Sequence, residues 1–208
     1  MVQITHTGKN AEMLDAILRV AQSRFGLYGA DKTSMQEIAN DLGLSKGSLY
    51  YYFPDKESLY IAVIEKELDQ FYMMIRERIG QIDDPVEKIR AYVQIRLHHF
   101  KTLTNLSRFR VSEWEGMKNR MASTWKNFSR LETEIINGIL QEGINNHVFF
   151  AENPEEIAVL FLELLRGLRM ATVKKKDMVS FEQDEFDALV AKTNHFVDIF
   201  INGLKYKK

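Results

Sequence analysis

Four consecutive residues, Ser45 to Ser48, have the side chains and the spacing that suit contact with nucleic acid. Lys46 offers an ammonium group to a phosphate, Ser48 offers a small hydroxyl, and Gly47 has no side chain to hold a helix away from DNA. Ser45 is a residue type that caps helices, so the next three fall in the first helical turn, where backbone N–H groups also favour phosphate. The cluster therefore predicts a surface that binds DNA.

Three tyrosines, Tyr50 to Tyr52, follow this turn. Because successive helical positions are about 100° apart, the three rings cannot share one face, and at least one is expected to face DNA. We assign Tyr50 and Tyr51 to that surface. In the alternative interpretation, all three rings are packing aromatics of a short exposed helix.

A helix-turn-helix accounts for the position of this cluster. Thr33 with Gln36 three residues later predicts a capping box that starts a helix at Ser34. Gly43 can adopt the left-handed conformation that ends that helix, and Ser45 caps the second one. In such a pair the second helix enters the major groove of DNA, and we also assign Thr33 and Ser34 to the DNA-binding surface.

A long third helix is predicted directly after the pair, because Pro54 ends the second helix and Asp55 caps the next one. Lys56 falls in its first turn and is assigned to a DNA phosphate. Apolar residues at helical spacing continue to about Gly80. No linker rich in glycine, serine or proline separates this helix from the pair, so a displacement at its far end is expected to reach Lys56.

The run from Asn10 to Tyr60 resembles the DNA-binding segment of the TetR family of bacterial transcription regulators. The family pattern is met at Ile38, Ala39, Gly43, Ser45, Gly47, Ser48, Leu49, Tyr50, Phe53, Lys56, Glu57 and Leu59. Tyr52 stands where a histidine is common in the family. The resemblance implies an all-α fold of about nine helices. It divides the chain into a helix-turn-helix DNA-binding domain, residues 1–55, and a helical effector-binding and dimerisation domain, residues 56–208.

The same resemblance implies a function. It describes a regulator, most often a repressor, that binds double-stranded DNA at a palindromic operator as a homodimer and is released by a small-molecule effector. A second interpretation keeps the DNA-binding surface but makes the chain a DNA-bound structural or protein-interaction factor, with a filled core and no small-molecule ligand. A solvent-accessible cavity near Trp114 and Trp125 would distinguish the two.

The rest of the chain also has helical periodicity, and all three prolines lie at predicted helix starts. Residues Met1 to Lys9 are expected to form a frayed arm before a first helix from Asn10 to about Phe25, which Gly26 or Gly29 ends. The remaining helices are predicted at Pro85 to about Leu103, Leu106 to Gly116, Ala122 to Asn145, Pro154 to about Val173, and from between Ser180 and Glu185 to about Tyr206.

The last two predicted helices carry apolar stripes that are wider than the core of one protomer requires. TetR-like chains dimerise through a four-helix bundle of their last two helices, so the resemblance supports a dimer interface here. The residues assigned to the interface are Phe161, Leu165, Leu168, Phe196 and Phe200. The alternative is that these stripes form the core of a monomer.

A segment rich in aromatic residues and methionine lies between the DNA-binding pair and the closing helices. It could line a pocket for a small apolar or aromatic effector, with Arg96 and His99 as polar groups. The residues assigned to the pocket are Tyr92, Arg96, His99, Phe100, Trp114, Met117, Met121, Trp125 and Phe128. Ordinary core packing explains such stripes equally well, and the family resemblance favours the pocket.

The composition is typical of a soluble globular protein with a substantial core, since 45% of the 208 residues are hydrophobic and 27% are charged. The chain contains no cysteine, which excludes disulfides and thiolate metal sites and fits a reducing cytoplasm. No apolar stretch is long enough to span a membrane, and we expect a cytoplasmic protein without a membrane partner. Because the net charge is −1, DNA binding must depend on where the charges lie.

Catalysis has little support in the sequence. His98 and His99 are adjacent and diverge by about 100° on a helix, so they cannot both bind one metal ion. The sequence contains neither a glycine-rich phosphate loop nor a Gly-x-Ser-x-Gly motif. We therefore expect no catalytic residue, no metal and no cofactor, and an enzyme is the least favoured of the three interpretations.

Overall fold

The computed structural model describes the backbone of residues 3–102, 111–172 and 183–205, and the side chains of residues 10–99, 121–172 and 183–205. Within these ranges the fold is all-helical, apart from one isolated β-bridge. The helices there are α1 (Gln3–Tyr28), α2 (Met35–Asp41), α3 (Lys46–Tyr52), α4 (Lys56–Ile79), α5 (Pro85–Thr102), α6 (Val111–Asn145), α7 (Pro154–Thr172) and α8 (Gln183–Leu204). The predicted all-α fold is confirmed, with eight helices in these ranges where about nine were expected. None of these helices has the length and apolar character needed to cross a membrane.

The first helix is longer than predicted. α1 begins at Gln3 instead of Asn10, so the backbone of the expected frayed arm is helical from residue 3 onward. The sequence there contains no proline, and a weak helix former costs less than about 1 kcal/mol once a helix has started. Of the two predicted stops, Gly26 and Gly29, the second is observed, with the left-handed φ of +86°.

The capping box of α2 lies one residue later than predicted. Ser34 is the N-cap, and its Oγ accepts a hydrogen bond from the backbone N–H of Glu37 at 3.3 Å. The Glu37 carboxylate in turn accepts from the backbone N–H of Ser34 at 2.8 Å. Thr33, the predicted cap, is buried instead, because its hydroxyl donates to the carbonyl of Gly29 at 2.9 Å.

The turn between α2 and α3 matches its prediction. Gly43 has the left-handed φ of +64°, and the backbone N–H of Leu44 donates to the carbonyl of Ala39 at 2.9 Å. Ser45 is the N-cap of α3, as expected from its side chain. The two short helices are therefore joined as a helix-turn-helix.

The long helix α4 begins at Lys56 directly after its cap Asp55, which accepts from the backbone N–H of Ser58 at 2.6 Å. It ends at Ile79, and Gly80 is the C-cap, which confirms the predicted bounds. α4 packs on α1, on α5 and on α6. One continuous helix thus contacts α1, on which the helix-turn-helix packs, and the rest of the bundle.

The helix α6 begins earlier than predicted and continues through an expected gap between two helices. A separate short helix from Leu106 to Gly116 was expected, but residues 111–116 belong to α6, which starts at Val111, and residues 106–110 lie outside the described ranges. A single interior glycine costs about 1 kcal/mol relative to alanine, which a 35-residue helix tolerates.

The C-terminal helices close the bundle. α7 packs on α6 and on α8, and α8 also packs on α5. The chain between α6 and α7 is fastened to the end of α8, because the backbone N–H of Phe150 donates to the carbonyl of Leu204 at 2.7 Å. The neighbouring Phe149 is fully buried and forms the isolated bridge with Lys205.

Candidate DNA-binding surface and effector region

The first turn of α3 forms an exposed polar surface. Ser45, Lys46, Gly47 and Ser48 are all exposed, whereas Leu49 is fully buried in the core. The Oγ of Ser45 accepts a hydrogen bond from the backbone N–H of Ser48 at 3.1 Å. Because Leu49 anchors one face of α3, the opposite face is held outward, in the orientation that a major-groove contact needs.

Gly47 is not required by packing inside the protomer. A Cβ atom placed on this residue would have Ser45 Oγ as its nearest neighbour, at an ordinary contact distance of 3.9 Å. The residue lies in α3 and does not have a positive φ. The open space over Gly47 therefore leaves room for close approach of another molecule.

The three tyrosines of α3 point in different directions, as predicted. Tyr50 and Tyr51 are exposed, and Tyr51 retains 81% of its accessible surface. The ammonium of Lys46 lies 5.7 Å from the ring centroid of Tyr50, within range of a cation–π contact. Tyr52 is half-buried, and its hydroxyl donates to the Oδ1 of Asn10 at 3.3 Å. Tyr52 thus fastens α3 to α1, while the other two rings remain on the outer surface.

The remaining residues assigned to DNA have contacts inside the protomer. The ammonium of Lys56 donates to the carbonyl of Ala30 at 2.7 Å and is half-buried. Thr33 is 2% exposed and packs beneath α2, whereas Ser34 is exposed at the helix N-terminus. The first turn of α3 is therefore the most exposed part of the residues assigned to DNA, whereas Lys56 is half-buried.

Arg24, which the sequence analysis did not single out, holds α2 against α1. Its guanidinium donates to both carboxylate oxygens of Asp41, at 2.5 and 2.8 Å, and lies 3.4 Å from Glu37. The hydrogen bond from Arg24 lowers the pKa of the Asp41 carboxyl, although burial opposes this shift. No periodicity links an arginine of one helix to an acid of the next, so only the folded arrangement identifies this pair.

Two polar contacts fasten α1 to α4. The ammonium of Lys66 donates to the Oδ1 of Asp15 at 2.7 Å, and the side-chain amide of Gln22 donates to the Oε1 of Glu67 at 3.1 Å. The hydrogen bond from Lys66 is the main reason that the pKa of Asp15 is lowered. Lys66 and Glu67 lie near the middle of α4, so these contacts fix α1 to that helix.

In the predicted effector region, α5 and α6 bring a buried polar cluster together. The Oε1 of Glu132 accepts from the hydroxyl of Tyr92 at 2.5 Å and from the Nε of Arg96 at 2.7 Å. Burial and the negative charge of Glu132 raise the pKa of Tyr92 well above its usual value. Burial acts to lower the pKa of Arg96, but the interactions with Glu132 and Tyr92 are stronger, so the pKa of Arg96 is raised above its usual value.

Sequence analysis missed Glu132, although a signal was present. Glu132 lies four residues after Phe128 and four before Ile136, on the apolar stripe of α6, and only 2% of its surface is exposed. A carboxylate on a buried stripe needs a partner, which Arg96 supplies.

Aromatic rings connect α4 with the same region. The ring of Phe71 on α4 is stacked on His99 of α5, with centroids 4.1 Å apart and an angle of 8° between the planes. Phe128 of α6 lies 5.9 Å from Phe71 and 6.3 Å from Trp125. Burial, with a smaller contribution from the charge of His98, lowers the pKa of His99 to about 4.

Six of the nine residues assigned to the pocket have described side chains, and all six are buried or half-buried between α4, α5 and α6. They are Tyr92, Arg96, His99, Met121, Trp125 and Phe128. The side chains of Phe100, Trp114 and Met117 lie outside the described ranges. A cavity of ≈ 260 Å³ borders this group at Phe128, and it is lined partly by the carboxylates of Glu65 and Asp69. Its volume lies just below the range typical of ligand pockets, which begins at about 300 Å³.

The closing helices present two apolar faces. Phe161 is fully buried, with its ring centroid 4.5 Å from that of Phe200 and 5.7 Å from that of Phe196, and Leu165 is 4% exposed. These contacts lie within one protomer, so Phe161 and Leu165 have almost no surface left for a partner. A second face is exposed on the same two helices.

This second face consists of Leu160 (52% exposed), Leu164 (43%) and Ile199 (60%). Leu168, Phe196 and Phe200 are half-buried between the two faces. The residue-level assignment of the interface stays a prediction, but an interface on α7 and α8 must use the exposed side chains.

Known proteins resemble this chain in sequence and in structure. Residues 17–63 match the family model described as bacterial regulatory proteins, tetR family. The chain is 33% identical to the HTH-type transcriptional regulator RutR of Escherichia coli (strain K12) over 106 residues, which are 49% of this chain and 50% of that protein. It therefore spans about half the length of that relative. It is also 23% identical to the fatty acid metabolism regulator protein of Bacillus subtilis (strain 168), over 96% of this chain and 97% of that protein.

The whole fold is shared with solved regulators. A transcriptional regulator from Cytophaga hutchinsonii ATCC 33406 is 36% identical and has a TM-score of 0.83, covering 93% of this chain and 99% of that one. A TetR-family regulator from Pectobacterium atrosepticum, at 18% identity, has a TM-score of 0.75 over 96% and 97% of the two chains. The family model matches the helix-turn-helix, and a regulator of over one-third identity covers 93% of the chain; this chain therefore belongs to the TetR family of DNA-binding transcriptional regulators, which are not enzymes.

Proposed function

We propose that this regulator is a repressor that binds a palindromic operator as a homodimer and releases it when a small-molecule effector binds. The observation that carries the proposal is the course of α4. This helix starts at Lys56, immediately after the helix-turn-helix, and its Phe71 contacts His99 of α5 and lies beside Phe128 of α6. A change in the effector region therefore meets α4 directly, with no flexible segment before the DNA-binding helices.

The division of the chain follows from the same helix. Residues 1–55 form the DNA-binding domain, and residues 56–208 form the domain for effector binding and dimerisation, with α4 belonging to both by its contacts. The protein acts in the cytoplasm, where the operator DNA of a bacterium is accessible. It uses no cofactor, because binding alone performs the function.

Dimerisation is supported by the exposed apolar face of α7 and α8. Leu160, Leu164 and Ile199 would each leave about half of their surface in water in a monomer. Two such faces related by a two-fold axis bury one another in a four-helix bundle. A two-fold dimer presents two copies of α3, which suits an operator with two half-sites about one DNA turn, roughly 34 Å, apart.

Effector release then follows from geometry. An effector that favours one packing of α5 and α6 displaces α4 at Phe71, and α4 carries the displacement toward Lys56. The contacts Lys66–Asp15 and Gln22–Glu67 pass it to α1. Because both α3 helices must fit successive major grooves at once, a small displacement in each protomer weakens DNA binding.

A second function is favoured by one observation. The described cavity next to Phe128 is only ≈ 260 Å³. A filled core suits a DNA-bound structural or protein-interaction factor that has the same helix-turn-helix and no small-molecule ligand. The two functions differ in whether any small molecule changes DNA affinity.

The test is a linkage measurement. Apolar and aromatic compounds are screened by tryptophan fluorescence, and each binder is titrated against free protein and against the operator complex. An inducer must bind the free protein more tightly, commonly by a coupling of about 1 to 3 kcal/mol, and must weaken operator binding by the same factor. Equal affinities for the two forms exclude that binder as an inducer. If every binder behaves in this way, the structural function is favoured.

A further inference from the structure

The face of α3 opposite its buried side consists of Gly47 and Tyr51. Both residues lie two positions from Leu49, so each is rotated by about 200° from that fully buried side chain. They are one helical turn apart and adjoin each other on the same face. Tyr51 retains 81% of its accessible surface. A DNA molecule whose major groove receives α3 therefore meets Gly47 and Tyr51 first.

The polar side chains around this face are engaged with one another. The hydroxyls of Ser45 and Ser48 lie 2.8 Å apart and share a hydrogen bond. On the exposed side of α2, the amide of Gln36 donates to the Oδ1 of Asn40 at 2.8 Å. The helix α3 itself contains no arginine, asparagine or glutamine, whose planar groups pair with two atoms of a purine edge. Paired hydrogen bonds are therefore a poor means for α3 to recognise bases.

We propose that the ring of Tyr51 recognises thymine in the operator by contact with its C5-methyl group, and that Gly47 admits this methyl group close to the helix. The inference rests on the proposed function, because it names a base that each half-site presents to α3. Of the four bases, only thymine carries a methyl group in the major groove. Contact with an exposed aromatic ring removes the apolar surface of both groups from water, which is favourable.

The ring of Tyr51 is supported by its neighbour. It meets the ring of Tyr52 edge to face, with centroids 5.3 Å apart and an angle of 89° between the planes. Tyr52 is half-buried, and its hydroxyl donates to the Oδ1 of Asn10 at 3.3 Å. A tyrosine has two side-chain torsions, so ordering it on DNA costs less conformational entropy than ordering a lysine. The helix α1 thus supports the ring of Tyr51 through Tyr52.

The absence of a side chain at Gly47 leaves space next to this ring. Side chains on a helix lean toward its N-terminus, so the Tyr51 side chain leans toward the turn that contains Gly47. A Cβ atom at Gly47 would have only Ser45 Oγ within 4 Å, at 3.9 Å. A methyl group in the major groove can therefore approach the backbone of α3 at Gly47 and contact the Tyr51 ring at the same time.

Lys46 and Tyr50 lie on a neighbouring side of α3 and have a different role. The ammonium of Lys46 lies 5.7 Å from the ring centroid of Tyr50 and is assigned to a phosphate. Phosphate contacts fix the position of a protein on DNA without distinguishing bases, whereas contacts with base edges carry specificity. Loss of Lys46 should therefore weaken binding to all sequences, and loss of Tyr51 should change which sequence is preferred.

The experiment removes single methyl groups from DNA. A duplex selected from a random pool with the full-length protein is resynthesised with each thymine in turn replaced by uracil, in both half-sites together. Uracil forms the same base pair and lacks only the C5-methyl group. At one position the proposal predicts a loss of affinity of about fourfold per half-site, or about fifteenfold for the two. Selected half-sites without thymine, or a scan in which no replacement weakens binding more than about twofold, would overturn the proposal.

Variants assign the methyl contact to Tyr51. Tyr51→Ala should bind the thymine and uracil duplexes equally at the sensitive position, and Tyr51→Phe, which keeps the ring, should retain the preference. Lys46→Ala should bind both duplexes more weakly and keep the ratio between them. Thermal melting confirms that each variant is folded. Persistence of the preference in Tyr51→Ala, or its loss in Tyr51→Phe, would overturn the proposal.

The selection also separates this inference from the function on which it rests. An enriched two-fold palindrome with a flat uracil scan would leave the proposed function standing and overturn the thymine contact. An enriched half-site without two-fold symmetry, but with a loss at one thymine that depends on Tyr51, would contradict the palindromic operator and support the thymine contact. Absence of any enriched sequence would contradict both.

Discussion

The imidazole of His99 lies flat against the ring of Phe71, with centroids 4.1 Å apart and planes 8° apart. The contact joins α5, which carries the predicted effector residues, to α4, which begins beside the DNA-binding helices. Both rings are shielded from water, since Phe71 is 1% exposed and His99 is half-buried. The proposed mechanism passes through this contact between the effector region and α4.

The stack predicts a pH dependence of stability. The pKa of His99 is lowered from 6.5 to about 4, first by burial and then by the charge of His98. The unfolded chain therefore takes up the proton more readily than the folded one. The stability gained from neutral His99 is fully present above about pH 6.5 and is lost progressively as the pH falls toward about 4.

Chemical denaturation at about pH 7 and about pH 4.5 measures this effect. We expect the difference in free energy of unfolding between the two pH values to be smaller in His99→Gln than in the unaltered protein. His195→Gln, which changes an exposed histidine of α8, is the control and should keep the full difference. An identical pH dependence in the His99 variant would contradict the assignment.

Lys46 is expected to contact a DNA phosphate. Lys46→Ala should weaken specific and non-specific DNA binding together and reduce the slope of log K against log salt by about one unit. Lys126→Ala, at an exposed position on α6, should change neither quantity. An unchanged salt slope for Lys46→Ala would remove this residue from the interface.

Lys56 should behave differently, because its ammonium is held by the carbonyl of Ala30 at 2.7 Å. Lys56→Ala should lower the salt slope by at most about one unit and should also lower the free energy of unfolding, by about 1 kcal/mol. Thermal melting beside the DNA titration separates the two effects. A variant with normal stability and a full one-unit loss in slope would show that Lys56 acts on DNA alone.

We expect the absence of a side chain at Gly47 to be needed for DNA binding but not for folding. A Cβ there meets nothing closer than 3.9 Å, so Gly47→Ala should leave stability unchanged or raise it by up to about 1 kcal/mol. Operator affinity should nevertheless fall, because the added methyl lies on the surface assigned to DNA. Gly138→Ala, at an exposed position of α6 with nothing within 4 Å, should gain stability with no loss of affinity. Equal affinities for the two variants would contradict close DNA approach at Gly47.

The dimer interface is expected on the exposed face of α7 and α8. Leu164→Glu and Ile199→Glu should each dissociate the dimer, because a charge buried in the interface costs several kcal/mol. Met73→Glu, at a 64% exposed position on α4, should leave the dimer intact. Sedimentation velocity measures the outcome, and an intact dimer in both α7 and α8 variants would place the interface elsewhere.

Phe161→Glu has a different expected effect. Phe161 is buried against Phe196 and Phe200 within one protomer, so the charge should unfold the chain instead of releasing a folded monomer. Circular dichroism distinguishes the two results. A stably folded monomer would show that Phe161 belongs to the interface.

The sequence predicted the DNA-binding helices well because their signals are local. Gly43, Ser45 and Asp55 each determine a turn or a cap through their own side chain or backbone, and all three were assigned correctly. The capping box shifted by one residue because two hydroxyl residues, Thr33 and Ser34, are adjacent. Only the burial of Thr33 shows which of them caps α2.

Features that depend on pairs of helices could not be read in the same way. The interface residues illustrate this, since α7 is apolar at both Leu160 and Phe161, and sequence does not show which face meets α8. The Arg24–Asp41 and Arg96–Glu132 pairs each join two helices whose relative position is set by the whole fold. The aromatic residues of the effector region were located, but periodicity does not distinguish a pocket from a packed core.

The most direct test of a dimeric DNA-binding regulator is selection of bound DNA from a random pool with the full-length protein. We predict enrichment of a two-fold pseudo-palindrome whose half-sites are about one DNA turn, roughly 34 Å, apart from centre to centre. Lys46→Ala should reduce retention of the selected DNA. Enrichment of a single half-site without two-fold symmetry, or no enrichment at all, would contradict the central claim.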